Sequence, residues 1–463
     1  MTGTTGDRPS SAATLRRYHE ATKHFPHRPS ASPYGLEWAN EPSPLKRYPG
    51  LEPERPPHEL ERLLRIGAGV HPRRRDPHFR TFMSAGALHP VELYVATGSG
   101  LAHFDPGEGT LRPLRQDDPR AALAAAAAAP ELADAAAVLA LSGVLWRTAW
   151  KYGARGWRHV FWDAGAMLAN LLALAEKAGR EPRLVVAFAD RPVADVLGIE
   201  SPREAPVALV AAGRGERAAG PARLPPVEHH SPALSPRERR FPDAEEAQAA
   251  SSFESADAVR AWREAARGLG RRTGGGEPPD PLDEVILRRG STREFTSEPL
   301  ASEKLAAVLA WACAPVPGDL PPLCTTFVVA HAVEGLAPGV HRFEPPDRFE
   351  LIHGGASRGA TAHACLDQPH GGSSAATLFL TADLDWALTA LGGRGYRAAQ
   401  LDAGIRAGRS SLGAYARGIG ATGLTFYDDE VRRYLDTDEQ PMMCVAVGGD
   451  ARRRWLRRTA LRG

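Results

Sequence analysis

The same set of residues comes round twice in this chain. Arg158-x4-Asp163-Ala-Gly165 returns as Arg397-x4-Asp402-Ala-Gly404, each residue 239 positions after its counterpart. Gly418 follows Gly179 at that offset, and Asp429 follows Asp190. Far upstream, the offset also relates Gly100 to Gly339, Phe104 to Phe343 and Pro106 to Pro345. Chance supplies one such pair, but a constant offset over two separated blocks points to internal duplication. Solenoids repeat every ~20–50 residues, so this period means a pair of like domains instead. Two copies of one fold in one chain can pack as the subunits of a symmetric dimer do. The expected architecture is an intramolecular pseudo-dimer.

Residues 1–50, rich in Pro, His and Arg, read as an N-terminal arm without a core of its own. Residues 51–212 read as domain 1 and residues 282–463 as domain 2. Between them, residues 213–281 shift to Pro, Arg, Glu and Gly and read as a linker, interrupted by an amphipathic stretch over 256–267. Within domain 1, Val91-Glu92-Leu93-Tyr94-Val95 alternates as a strand does. Asp118-Pro119 opens an Ala-rich helix that Pro130 must end. Ala136 to Leu141 reads as a buried strand, Trp162 to Ala178 as a buried helix and Leu184 to Phe188 as a further strand. Mixed segments of this kind give an α+β class.

Composition removes several functions. The formal net charge is +2, which offers no electrostatic reason for a nucleic-acid or membrane-surface partner. No run of apolar residues is long enough to span a bilayer, and the N-terminal residues lack the apolar core of a signal peptide. Cys313, Cys324, Cys365 and Cys444 are widely spaced with no CxxC, which reads as buried free thiols in a reducing cytoplasm. His229-His230 has no nearby ligand pair, so no metal site is expected.

One motif carries anion chemistry. Arg289, Ser291 and Arg293 alternate after Val285-Ile286-Leu287, so an extended backbone puts all three on one side. Two guanidinium groups and a hydroxyl that converge suit a phosphate. The string Arg289-Gly-Ser291-Thr-Arg293-Glu-Phe295 resembles the phosphate motif of the nitroreductase superfamily, Arg-x-Ser-x-Arg/Lys-x-Phe. Gly420-Ala-Thr-Gly423-Leu424-Thr425-Phe426 resembles the superfamily's Gly-rich segment, which runs past the flavin ring and gives it backbone contacts. The resemblance implies flavin mononucleotide (FMN) as cofactor, held by Arg289, Ser291, Arg293, Gly423 and Leu424. A late Arg or Lys often reaches the phosphate in that superfamily, and Arg452-Arg453-Arg454 supplies candidates.

The first region resembles a narrower group, the SagB-type dehydrogenases, which oxidise thiazolines and oxazolines of ribosomally made peptides to azoles. The strings that carry this are Tyr18-His19-Glu20-Ala21-Thr22-Lys23-His24, Ser84-Ala85-Gly86-Ala87-Leu88-His89-Pro90, Trp150-Lys151-Tyr152-Gly153-x-Arg155 and Arg158-His159-x3-Asp163-Ala-Gly165. Two departures matter. The first region has no Arg-x-Ser-x-Arg. The second lacks the Ser-Ala-Gly-Ala string and has Asp319-Leu-Pro-Pro-Leu-Cys-Thr325 there. In nitroreductase dimers one subunit holds the phosphate while a serine-containing loop of the other covers the ring edge. The resemblance therefore implies one complete composite site, with Ser84, Ala85 and Gly86 against the flavin, and one decayed site.

In SagB-type enzymes the Lys-Tyr pair is catalytic, which assigns Lys151 as the base and Tyr152 as its partner. A lysine accepts a proton only when neutral, a form that desolvation or a nearby cation favours. Trp146, Trp150, Tyr152 and Trp157 are the expected apolar surroundings, with Arg147 and Arg155 as the expected cations. The recurrence of Arg158 and Asp163 in the second half gives them to the fold, as a helix-start pair. The implied partners are a peptide substrate, a cyclodehydratase that makes its azolines, and a second copy of the pseudo-dimer. Two other readings stand: an NAD(P)H-dependent reductase of nitro or quinone compounds, and a flavin-free subunit that holds a peptide for a partner enzyme.

Overall fold

Each half of the chain builds a six-stranded antiparallel sheet, in a computed structural model that describes residues 10–27, 35–74, 76–221, 223–269 and 275–452. The first sheet runs, edge to edge, Thr110–Arg115, Gly100–Asp105, Val91–Thr97, Ala135–Val144, Glu204–Arg214 and Arg183–Val185. The second runs Arg348–Gly354, Gly339–Glu344, Thr325–Ala330, Ala376–Ala382, Gln440–Gly449 and Ile419–Leu424. Position by position the two orders coincide, so the α+β pseudo-dimer is the fold observed.

The central strands Ala135–Val144 and Ala376–Ala382 are buried along almost their whole length, because each is covered on both faces. Along Ala135–Val144, Leu139 and Leu141 join the large core between the halves. Their neighbours Val138 and Ala140 join an outer core with Leu123 and Ala127 of the helix Arg120–Ala127. Period-two alternation thus feeds two cores from one strand.

The halves meet along the helix Gly156–Lys177 and the helix Leu384–Ala416. Duplicated Gly165 and Gly404 mark the crossing. A methyl group built at Gly165 would lie 2.4 Å from the carbonyl carbon of Gly404, and one at Gly404 would lie 2.7 Å from the Trp162 carbonyl oxygen. Only glycine permits that approach. Duplicated Gly179 and Gly418 follow the two helices in the left-handed region, at φ 67° and 75°, where they stop each helix.

The duplicated arginines are not helix-start pairs; they cross between the halves. Arg155 and Arg158 each donate to Asp428 at 2.8 Å. Reciprocally, Arg397 donates to Asp190 at 2.6 Å and Arg394 donates to the same carboxylate. All six side chains are buried, and the arginines hold the Asp428 carboxyl well below the usual carboxylate range against the opposing effect of burial. Asp428 and Asp190 each open a helix, Asp428–Leu435 and Asp190–Leu197. The structural counterpart of Asp190 is therefore Asp428, one residue before the Asp429 that the offset selects. The cations expected beside Lys151 have buried carboxylate partners of their own. Arg155 is committed to Asp428, and Arg147 to Glu92 at 2.5 Å.

The stretch expected to be a linker contributes to the fold. Helices Pro242–Ala250 and Ala256–Arg267 lie in it, and Phe241, Ala244, Val259 and Trp262 are buried in the core between the halves. The N-terminal arm likewise packs: its helix Ser11–Ala21 buries Leu15 and Tyr18, and Lys23 pairs with Asp429 at 2.8 Å.

Candidate active site

The phosphate-like motif follows the helix Leu282–Arg288. Arg289 is extended (φ −60°, ψ 137°), as the alternation requires. Two contacts tie the motif to the second sheet. The Thr292 N–H donates to the Ala421 carbonyl at 3.0 Å, and Thr296 N–H to that of Gly449 at 2.8 Å. Gly420 is needed opposite, since a methyl there would meet the Thr292 hydroxyl at 2.4 Å. Ala451 N–H donates to the Glu294 carbonyl at 3.1 Å, which brings the chain's last described residue, Arg452, to the same place.

A cavity of about 410 Å³ opens there between the halves. The second half lines it with Arg289, Gly290, Ser291, Arg293 and Arg452. The first half lines it with the loop from His71 to His89, including Arg74, Phe79, Ser84 and Gly86. His71 Nε2 donates to the Leu287 carbonyl at 2.8 Å and fastens that loop to the other half. Five arginines and no carboxylate line the cavity. Burial lowers the Arg289 guanidinium to about 10, with Arg74 adding and Tyr415 opposing. Its Nε is buried and has no protein partner. An unpaired buried donor in a wall of arginines calls for an anion.

Gly86 has φ 65°. A methyl there would lie 2.8 Å from the Tyr152 hydroxyl and 3.3 Å from Lys151 Nζ. Lys151 and Tyr152 therefore stand against the cavity wall at the end of the helix Leu145–Tyr152. The Tyr152 ring stacks on His159 at 4.2 Å and 9°. Burial, with Asp163 adding, raises its hydroxyl well above the usual range. Both ring nitrogens of His159 are buried without a partner, and burial keeps that imidazole neutral at ordinary pH.

The expected residues divide as follows. Arg289, Ser291, Arg293, Ser84 and Gly86 line one cavity, and Ala85 lies between two of its wall residues. Gly423 and Leu424 do not: Gly423 is exposed, Leu424 is buried, and neither lines the cavity. Ser84 was expected to bond a ring edge, yet its hydroxyl donates to Asp163 and accepts the His89 N–H at 2.9 Å. Arg74, Arg80 and Phe79 went unread in the sequence. The run Arg73-Arg74-Arg75 was the available signal, but nothing local links it to a site 215 residues on.

The nitroreductase family model matches residues 51–214 and again 286–449. The chain belongs to the nitroreductase family. Its two nitroreductase domains coincide with the two sheets. A protein of Methanocaldococcus jannaschii named as a nitroreductase is 27% identical over 180 residues, which is 36% of this chain and 90% of that one. A crystal structure from Anabaena variabilis, also named as a nitroreductase, superposes with TM-score 0.78 at 23% identity. That match covers 96% of this chain and all of the other, so the tandem fold is shared end to end. A chain of the E. coli microcin synthetase McbBCD complex, with truncated pro-MccB17 bound, covers 47% of this chain and 85% of its own at 19% identity. Its TM-score of 0.32 is too low to carry an inference. As a member of this family the chain is an oxidoreductase, and among the described residues no helix is long and apolar enough to cross a membrane.

Proposed function

We propose that one FMN binds in the composite cavity and that the loaded protein dehydrogenates thiazoline or oxazoline rings of a ribosomally made peptide to azoles. One observation supports this most. The phosphate-type motif of the second half, and Ser84, Gly86 and the adjoining Lys151–Tyr152 pair of the first, meet at one cavity. The donor set suits a flavin nucleotide. Arg289, Arg293 and Arg452 match its phosphate in charge, Ser291 adds a hydroxyl, and Gly86, having no side chain, lets Tyr152 and Lys151 come close to the wall. Bound FMN would supply the acceptor for the hydride that leaves the substrate ring.

The chain's own residues would supply the rest. Aromatising an azoline removes a hydride from one ring carbon and a proton from its neighbour. Lys151 Nζ takes that proton, the C–H electron pair staying in the new double bond. Tyr152 is held flat against His159 and presents its hydroxyl 2.8 Å from the methyl position of Gly86, suited to orient the ring or relay the proton. The peptide substrate, and a cyclodehydratase partner that makes its azolines, come with this reading.

The test is mass spectrometry of azoline peptides before and after incubation with the flavin-loaded protein. A loss of about 2 Da per ring, the mass of two hydrogens, is expected. No loss, together with rapid bleaching of the flavin by NADPH under argon, would replace this reading with a nitro or quinone reductase. A colourless protein that binds no added FMN would leave a peptide-holding subunit.

A further inference from the structure

Asp163 lies behind the Ser84–Gly86 wall. Its carboxylate accepts the Ser84 hydroxyl and, at 3.1 Å, the Ala85 N–H. Its twin Asp402 does the same for the equivalent loop, accepting the Leu323 and Cys324 N–H groups at 3.0 Å. One difference separates the twins. Four residues on, the second half has Arg406, whose Nε approaches Asp402 at 3.4 Å; the first half has Met167. Among the described residues no lysine, arginine or histidine is within ion-pair distance of Asp163. The titratable groups around it are Tyr152 on the preceding helix, Lys151 at Gly86, neutral His159 one turn earlier on its own helix, and neutral His89 on the loop. Burial raises the Asp163 carboxyl to about 7, against the hydrogen bonds from Ser84 and Ala85.

We propose that Asp163 is a proton-controlled positioning residue: a proton on its carboxyl reverses the hydrogen bond to Ser84 and turns the Ser84 hydroxyl into the cavity, where it donates to bound flavin. This rests on the flavin reading of the cavity. A carboxylate only accepts, so ionised Asp163 takes the single proton of Ser84 and leaves none for a ligand. Protonated Asp163 donates to Ser84 Oγ instead. That oxygen has two lone pairs, one for Asp163 and one for the His89 N–H, and its own proton is released. In the second half the pair is absent. Leu323 replaces the serine, Arg406 stands beside the aspartate, and the loop is merely held.

Asparagine copies the protonated state. Its oxygen still accepts from Ala85, and its amide donates to Ser84 permanently. Ser84→Ala cannot donate in either state. FMN affinity is measured by quenching of flavin fluorescence at about pH 5.5 and about pH 8.5, on either side of the Asp163 value. Relative to Ser84→Ala, the wild type binds roughly three- to ten-fold tighter at the lower pH, the worth of one neutral hydrogen bond, and equally at the higher. Asp163→Asn keeps the tighter binding at both. The FMN phosphate also titrates near ~6, but it is common to all three proteins and cancels in the ratios. A ratio of wild type to Ser84→Ala that does not change with pH overturns the inference while the flavin reading stands. That ratio decides alone if circular dichroism shows Asp163→Asn unfolded. Absence of FMN binding by the wild type at both pH values overturns the flavin reading and this inference together.

Discussion

Two cavities related by the duplication show how one fold came to hold unequal sites. Residues 317–322 of the second half stand, at the 239 offset, where residues 78–83 stand in the first. Each loop borders a cavity between the halves. One is the arginine-lined cavity of about 410 Å³; the other, about 890 Å³, is lined by Pro130, Pro315, Pro317, Pro321 and Pro322 among others. The edge strands decide the difference. Ile419–Leu424 is flanked by the phosphate-type motif through Thr292. Its counterpart Arg183–Val185 is flanked by the loop itself. Leu184 N–H donates to the Pro317 carbonyl at 2.8 Å, and Asp319 N–H donates to that of Leu184 at 3.1 Å. The Asp319 carboxylate then accepts from Val186 N–H at 2.6 Å and pairs with Arg263 at 2.9 Å. A built-in anion occupies the backbone donors of the second site. The larger cavity carries carboxylates of its own, Glu131 and Asp319, and the smaller carries none, so volume says less than donor chemistry.

The proposed catalytic pair is unequal in the same way. Gly153 and Gly392, both at φ 58°, fix the register between the halves. They place Ala390 and Leu391 where the first half has Lys151 and Tyr152. Lys151→Ala makes the first half like the second. It is expected to keep its flavin and lose turnover by ~10²–10⁴-fold, the usual worth of a general base, in a mass-spectrometric assay of azoline loss. Turnover at the wild-type rate would leave the base unidentified.

Symmetric features ought to respond alike. Asp428→Ala strands buried Arg155 and Arg158, and Asp190→Ala strands Arg394 and Arg397. Each is expected to destabilise the fold by about 3–5 kcal/mol in urea unfolding, as removal of one partner from a buried ion pair does. A large effect at only one aspartate would show that the halves are stitched unevenly.

The smallest of these three effects belongs to the phosphate-type motif. Arg293→Ala removes one charge-assisted contact, worth ~1.5–3 kcal/mol, and is expected to weaken FMN roughly ten- to a hundred-fold in a fluorescence titration. Unchanged affinity would move the phosphate elsewhere in the cavity.

The fold was legible because its main constraint repeats. Gly165 and Gly404 mark the helix crossing, and Gly179 and Gly418 the helix ends, so the conserved offset reported real geometry. The offset misled only where a loop had changed length, giving Asp429 in place of Asp428. Of the candidate site, the part whose residue type and spacing suit an anion, Arg289, Ser291 and Arg293, does come together at one cavity. The site was not legible where a side chain's partner is remote in the chain. Nothing near Ser84 announces that Asp163 holds its hydroxyl, nothing near Arg147 announces Glu92, and the Arg74 loop reaches the site only through His71. Gly423 and Leu424 lie outside the cavity lining for a related reason, since a Gly-rich string shows that a backbone can approach a ring but not which residue of it faces the cavity.

Flavin stoichiometry tests the central claim most directly. The protein is saturated with FMN, freed of excess, denatured, and its flavin measured by absorbance against chain concentration. One complete and one decayed site predict close to one FMN per chain. A value close to two would mean that the proline-lined cavity also binds flavin, and would contradict the account.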